Sequence, residues 1–116
     1  MTIALIVLAT LLGIAALGSG LQKLRRDPRI VESMHAVGVS DRQIPRLALL
    51  EILGSLGLLI GIWIIPIGIA AAAGLALYFL GAVVAHVRVK ASLKESIPAI
   101  ALMAIAIATV ILEVSR

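Results

Sequence analysis

The chain has 116 residues, of which 62% are hydrophobic and 14% are charged, and its mean hydropathy is +1.20. A soluble domain is about 45 to 50% apolar and about 25% charged, so the composition excludes an ordinary soluble protein and predicts one integral membrane unit. The net charge of +4 does not indicate a nucleic-acid-binding protein, because nine of the ten Lys and Arg residues lie in two segments, 23–46 and 88–94, that flank apolar spans. The absence of cysteine excludes disulfides and cysteine-ligated clusters in this chain.

The first apolar segment, residues 3–21, is long enough to cross a bilayer as a helix. It has about 19 residues without charge, or about 28 Å at 1.5 Å per residue. Its positive charges follow the apolar core, at Lys23, Arg25 and Arg26, whereas a signal peptide carries them before the core. We therefore predict a permanent membrane helix.

A short amphipathic helix is predicted over residues 28–37, in the polar connection that follows. Asp27 is a typical N-cap, Pro28 is favoured at the first helical position, and Gly38 suits the C-terminal end. Its apolar residues fall on one face. We expect this helix either to lie along the membrane interface or to pack over the end of a helix bundle.

Three further apolar segments, 47–65, 67–87 and 97–114, complete four predicted spans. In lipid, a helix satisfies its own backbone polar groups. The predicted fold class is therefore an all-α membrane protein, a four-transmembrane-helix bundle with a short interfacial helix between spans 1 and 2, forming a single membrane domain over residues 1–116. The basic loops are expected in the cytoplasm and both termini outside, in a bacterial plasma membrane.

Every span carries small residues that would allow neighbouring helices to approach closely. In lipid, such close approach takes the place of the hydrophobic effect as the main force for helix association. We predict that five glycines in the second and third spans contribute to helix packing: Gly54, Gly57, Gly61, Gly74 and Gly81.

Three ionisable side chains, Lys23, Glu51 and His86, are predicted to meet near the cytoplasmic end of the bundle. Glu51 lies about one turn inside the second span, where an acid costs about 2.5 to 3.5 kcal/mol to insert and is normally paired or functional. The cluster is therefore either a proton-binding or ligand-binding site or a structural ion pair, and the sequence leaves both open. Four further side chains are secondary candidates: Ser19, Ser55, Tyr78 and Arg88.

Lys23, Glu51 and His86 lie in motifs that resemble the DoxX-like family of small four-helix membrane proteins. The matching motifs are Gly20-Leu-Gln-Lys23-Leu24, Leu50-Glu51-Ile-Leu-Gly54 and Gly81-Ala-Val-Val-Ala-His86. The resemblance covers nearly the whole chain and implies a four-helix membrane protein. Some members of that family are named for a small subunit of a thiosulfate:quinone oxidoreductase, some are associated with oxidative-stress complexes, and animal relatives assist receptor assembly. The resemblance therefore leaves the function open.

Three functions fit the sequence. The first is a non-catalytic accessory or assembly subunit that packs against a larger membrane complex, and we adopt it as the hypothesis because no catalytic or metal-ligating set is visible in the sequence. The second is a small subunit of a quinone-linked membrane oxidoreductase, although the chain lacks a nucleotide fingerprint and paired mid-span histidines for haem. The third is a carrier of a small or lipidic substrate. We expect the lipid bilayer and a larger membrane protein or a second copy as partners, no nucleic acid, and no cofactor unless the quinone alternative holds.

Overall fold

The described part of the chain forms four long helices and one short one. The computed structural model describes residues 2–90 and 93–116, without the side chains of residues 2, 93 and 95. In chain order the helices are α1 (Thr2–Leu24), α2 (Pro28–Ala36), α3 (Gln43–Ile60), α4 (Ile65–Arg88) and α5 (Leu93–Ser115). All except α2 are long and apolar enough to cross a membrane, and the described residues contain no strand. The predicted fold class is therefore confirmed.

The four long helices form a bundle in which successive helices reverse direction. Helix α1 packs on α3, α3 on α4 and α4 on α5, and contacts between α1 and α5 close the ring. We call the end with residues 25–42 and 88–90 the basic end, and the end with the 61–64 turn and Arg116 the turn end. Alanine and leucine side chains and one aromatic ring fill the interior: Leu5, Ala9, Leu12, Ala16, Leu58, Ala72, Leu75, Phe79 and Ala106.

The short helix α2 is bounded by the residues that the sequence predicted. The Asp27 carboxylate accepts a hydrogen bond from the backbone N–H of Arg29 at 3.0 Å, and Pro28 lies in the first turn. At the other end, Gly38 has a φ of +87°, in the left-handed region that glycine adopts without steric cost. The backbone N–H groups of residues 38 and 39 bond back to carbonyls of the last turn, which ends the helix.

The reversal between α3 and α4 comes earlier in the chain than the sequence predicted. The segment 47–65 was expected to be one span, but α3 ends at Ile60 and a turn occupies residues 61–64. Pro66 accounts for the difference: a helix running through it would lose a hydrogen bond, and the proline ring would collide with the carbonyl of Ile62. Pro66 instead lies in the first turn of α4, where its missing N–H is not needed.

Helix α5 also begins earlier than predicted, at Leu93 rather than near residue 97. Pro98 was expected at the entrance to the span, but it lies within the second turn of α5. Its missing N–H leaves the carbonyl of Lys94 without its usual helical partner. Because Lys94 is exposed at the basic end, water can satisfy that carbonyl.

Asp41 ties the connection after α2 to α2 itself and to the turn that precedes it. Its Oδ1 atom accepts a hydrogen bond from Arg26 at 2.8 Å and lies 2.6 Å from Nε2 of His35. The bond with His35, followed by the bond with Arg26, holds the pKa of Asp41 below its usual 3.8. Because the pKa is lowered in the folded state, the stabilisation from Asp41 is present above pH 3.8 and is lost as the pH falls through the lowered pKa.

A titration of the Asp41 carboxyl carbon by NMR in detergent micelles should therefore have its midpoint below pH 3.8. The variant His35→Ala removes the larger cause, so we expect the midpoint to rise toward 3.8. Ser33→Ala is a suitable control, because Ser33 is exposed on α2 and should leave the midpoint unchanged. A midpoint that does not move in His35→Ala would contradict the prediction.

Candidate functional site

Lys23 and Glu51 form a buried ion pair toward the basic end of the bundle. Nζ of Lys23 donates a hydrogen bond to Oε1 of Glu51 at 2.7 Å, and the two side chains are 8% and 0% exposed. Nζ also donates to Oγ of Ser19, one turn earlier in α1, at 2.9 Å. The structure thus brings together two of the three side chains that were predicted to meet, and the pair joins α1 to α3.

Tyr78 extends this arrangement to α4. Its hydroxyl donates a long hydrogen bond of 3.4 Å to Oε1 of Glu51, and Nζ of Lys23 lies 5.8 Å from the centre of its ring. Oε2 of Glu51 is buried and has no hydrogen-bond partner among the described residues. We call Ser19, Lys23, Glu51 and Tyr78 the Glu51 cluster. Ser55 lies beside it but donates its hydroxyl to the backbone carbonyl of Glu51 at 2.7 Å.

His86 lies apart from the Glu51 cluster, although the sequence predicted that it would join it. Its Nδ1 atom is 2.7 Å from the carbonyl oxygen of Ala82, one turn earlier in α4. Tyr78 is the residue of α4 at the level of Glu51, and His86 lies eight residues further on, or about 12 Å at 1.5 Å per residue.

Three glycines lie at the contact between α3 and α4: Gly54 and Gly57 within α3, and Gly61 directly after its last residue. An added Cβ atom would meet a side chain of α4 at Gly54 and at Gly57, and it would meet the backbone of Gly68 at Gly61. The two helices are therefore closest at Gly61, where backbone lies against backbone. In lipid, such close approach increases the dispersion contacts that hold helices together.

Gly74 and Gly81 face away from the rest of the bundle. An added Cβ atom at either position would have nothing within 4 Å. The buried residues of α4 recur every three or four positions from Gly68 to Phe79, and residues 74 and 81 fall off that face. Helix α4 is apolar on all sides, so the sequence pattern could not tell which glycines pack inside the chain and which face outward.

A second pair of charges, at the turn end, was not among the predicted site residues. Glu113 of α5 is buried, and Nη2 of Arg116 lies 2.7 Å from its Oε2 atom. Neither carboxylate oxygen has a directed hydrogen bond among the described residues, so the attraction between the two groups is electrostatic. The i, i+3 spacing of Glu113 and Arg116 is the feature of the sequence that indicates a pair. It was not used, because an arginine beside the end of a span is typical of an exposed interfacial charge.

Arg116 also binds the end of α3. Its guanidinium donates hydrogen bonds to the backbone carbonyls of Gly61 and of Ile62, the latter at 3.0 Å. Carbonyls at a helix C-terminus lack partners within the helix, and a cation there is favourable. The Glu113 carboxylate lies against Gly68, where an added Cβ atom would be 2.6 Å from Oε2. We call this arrangement the Arg116 clamp, because it joins α5 to both helices of the neighbouring turn.

A sequence model of the DoxX-like family matches residues 7–109 of the chain. The matched region includes every member of the Glu51 cluster, whereas Glu113 and Arg116 lie beyond it. Comparisons with curated proteins and with solved structures gave no match.

Proposed function

The chain belongs to the DoxX-like family, and from that membership we propose that it is an integral membrane accessory or assembly subunit that packs against a larger membrane complex and performs no catalysis of its own. The observation that carries the proposal is an open apolar groove of about 620 Å³ between α3 and α4. The groove lies on the outer side of the bundle, where a helix of another membrane protein can reach it.

The floor of this groove suits a transmembrane helix. Ala70 and Gly74 lie one turn apart on α4, both are exposed, and the space beside Gly74 is open. Small residues with this spacing let two helix backbones approach closely in lipid. Leu53 and Leu77, which are 65% and 69% exposed, supply apolar walls on the two sides. We propose that one helix of the partner lies along this surface.

The charged groups inside the bundle support a structural role. Lys23 is paired with Glu51, and Arg116 is paired with Glu113, so each buried carboxylate among the described side chains has its counter-charge in the same chain. The two pairs lie toward opposite ends of the bundle. The first joins α1 to α3, and Arg116 of the second also binds backbone carbonyls of the turn after α3. A bundle held at both ends in this way would present a fixed surface to a partner. We further propose that the basic end faces the cytoplasm of a bacterial cell and that both termini lie outside.

Site-specific photo-crosslinking in the native membrane tests this proposal. A photoreactive amino acid at Gly74 should give one discrete adduct with a larger membrane polypeptide, whereas the same amino acid at Gly18 should not. Gly18 is a matched control, because it is also an exposed glycine with open space around it, but it lies on α1. Mass spectrometry of the adduct identifies the partner, and the substitution Ala70→Leu should abolish crosslinking by filling the groove.

The outcome at Gly74 decides between functions. Crosslinking only to a second copy of the chain would replace the accessory role with self-association, and crosslinking only to lipid would overturn it. A quinone-linked subunit is the second candidate, because Tyr78 both lines the groove and bonds to Glu51. A quinone that co-purifies with the chain and is lost in Glu51→Gln would favour that candidate. Accumulation of a substrate in vesicles containing the purified chain would favour a carrier.

A further inference from the structure

A small cavity at the basic end is separate from both charge pairs and from the groove. It has a volume of about 300 Å³ and lies between the C-terminal ends of α2 and α4. Its walls are mainly apolar side chains and backbone, with one charged residue, Arg88: the lining residues are Val37, Gly38, Ala85, Arg88 and Val89. The cavity thus combines an apolar wall with one cation.

Arg88 is available to a ligand. It is exposed, and within the described part of the chain its side chain has neither an ion pair nor a hydrogen bond. A guanidinium group presents five N–H donors in a fixed plane that matches phosphate oxygens. The backbone at Gly38 leaves further space, because nothing lies within 4 Å of the position that a Cβ atom would take there.

The surroundings of the cavity favour an anion. Segments 25–46 and 88–95 contain eight basic and four acidic residues. One of the acids, Asp41, is already bound to Arg26 and His35. The potential at the basic end is therefore positive, and it attracts anionic groups from the bilayer surface.

The position of the cavity along α4 favours an amphiphile over a free anion. Arg88 ends the third membrane span, so its guanidinium lies where the apolar part of the helix gives way to polar residues. Val84 and Val87, within the preceding turn, are exposed and apolar. Helix α2, which has a half-buried apolar face and no fully buried residue, ends beside the cavity. A ligand that fits has an anionic group at the end of an apolar tail.

We propose that this cavity binds the phosphate group of an anionic phospholipid from the surrounding bilayer, with Arg88 donating to the phosphate oxygens and the lipid chains lying along the apolar surface of α4. The site is independent of the proposed docking groove. It gives the C-terminal end of α2 a function, which is to place Val37 and Gly38 on one side of a lipid headgroup site.

Native mass spectrometry of the full chain, released from nanodiscs with equal amounts of phosphatidylglycerol and phosphatidylcholine, tests the proposal. We expect one phosphatidylglycerol molecule to be retained in preference to phosphatidylcholine. Arg88→Gln should lower that retention about tenfold, because charge-assisted bonds to phosphate are the strong ones. Ala85→Leu, which fills the cavity without changing the charge, should lower it as well. Arg29→Gln removes one exposed charge on α2 outside the cavity and should leave retention unchanged.

Three results would overturn the proposal. The first is equal retention of the two lipids by the unaltered chain. The second is an equal loss in Arg29→Gln and Arg88→Gln, which would mean that general charge rather than this cavity attracts the lipid. The third is displacement of the lipid by millimolar inorganic phosphate, which would mean that the site takes a free anion. Circular dichroism of each variant distinguishes a lost site from a lost fold.

Discussion

Lys23→Met is expected to lower the free energy of unfolding by about 3 to 5 kcal/mol, because it leaves the Glu51 carboxylate buried without its cation. Methionine has nearly the length of lysine, so the packing of α1 on α3 changes little while the charge is lost. The bond to Ser19 disappears as well. Unfolding by steric trapping or by titration with a denaturing detergent in micelles gives the free energy directly.

The double variant Lys23→Met/Glu51→Leu tests whether the loss comes from the unpaired charge. It replaces both charges with apolar groups, and such replacements of buried pairs are often neutral or stabilising, so we expect most of the loss to be recovered. Lys94→Met removes an exposed cation and should change the free energy by less than about 0.5 kcal/mol. A single variant as stable as the unaltered chain would show that the pair does not hold the bundle.

The same double variant separates the two roles that the sequence left open for Glu51. If the pair is structural, the double variant should still crosslink to the partner from residue 74, because the groove is intact. If Glu51 binds a proton or a ligand head group, the double variant should be stable but inactive in the assembly. Stability and partner binding therefore have to be measured on the same protein.

Gly61→Ala is expected to destabilise the bundle by about 3 kcal/mol or more, the largest effect that we predict for adding a single methyl group. The added Cβ would meet the backbone of Gly68. Backbone cannot move aside by changing a rotamer, so α3 and α4 would have to separate at their turn. That separation would also displace the Gly61 carbonyl from Arg116. The same unfolding measurement in micelles tests it.

Two other glycines supply graded controls for Gly61. Gly54→Ala would meet the side chain of Leu75 at 2.8 Å, which can shift, so we expect a smaller loss of about 1 to 2 kcal/mol. An added Cβ atom at Gly81 has nothing within 4 Å. The free energy of unfolding of Gly81→Ala should therefore lie within about 0.5 kcal/mol of that of the unaltered chain. Equal effects at residues 61 and 81 would be inconsistent with backbone contact at the turn.

The number, order and character of the helices could be predicted from the sequence because they depend on local properties. Long apolar runs between charged segments indicate spans, and Asp27, Pro28 and Gly38 indicate the ends of the short helix through their own backbone chemistry. The position of the turn at 61–64 was harder to predict. It depends on which side of Pro66 the chain reverses, and the residues on both sides are apolar, so they do not indicate where the turn lies.

The site was only partly predictable because it depends on depth and on helix rotation. Lys23 and Glu51 were identified because a charged side chain near the end of an apolar span has to pair with an opposite charge or reach the membrane surface. His86 satisfied the same rule but lies about two turns further along α4. Glu113 was not singled out, because its burial depends on the rotation of α5 against the turn between α3 and α4.

The Arg116 clamp also bears on the order in which the chain assembles during synthesis. Glu113 lies in the last turn of α5 and Arg116 directly follows that helix, so Arg116 cannot bind the carbonyls of Gly61 and Ile62 until α5 has been synthesised. Until then, the hairpin of α3 and α4 exposes two acceptors at its turn, which only water at the membrane surface can satisfy. Of the four spans described, the last to be synthesised is thus the one that closes the bundle.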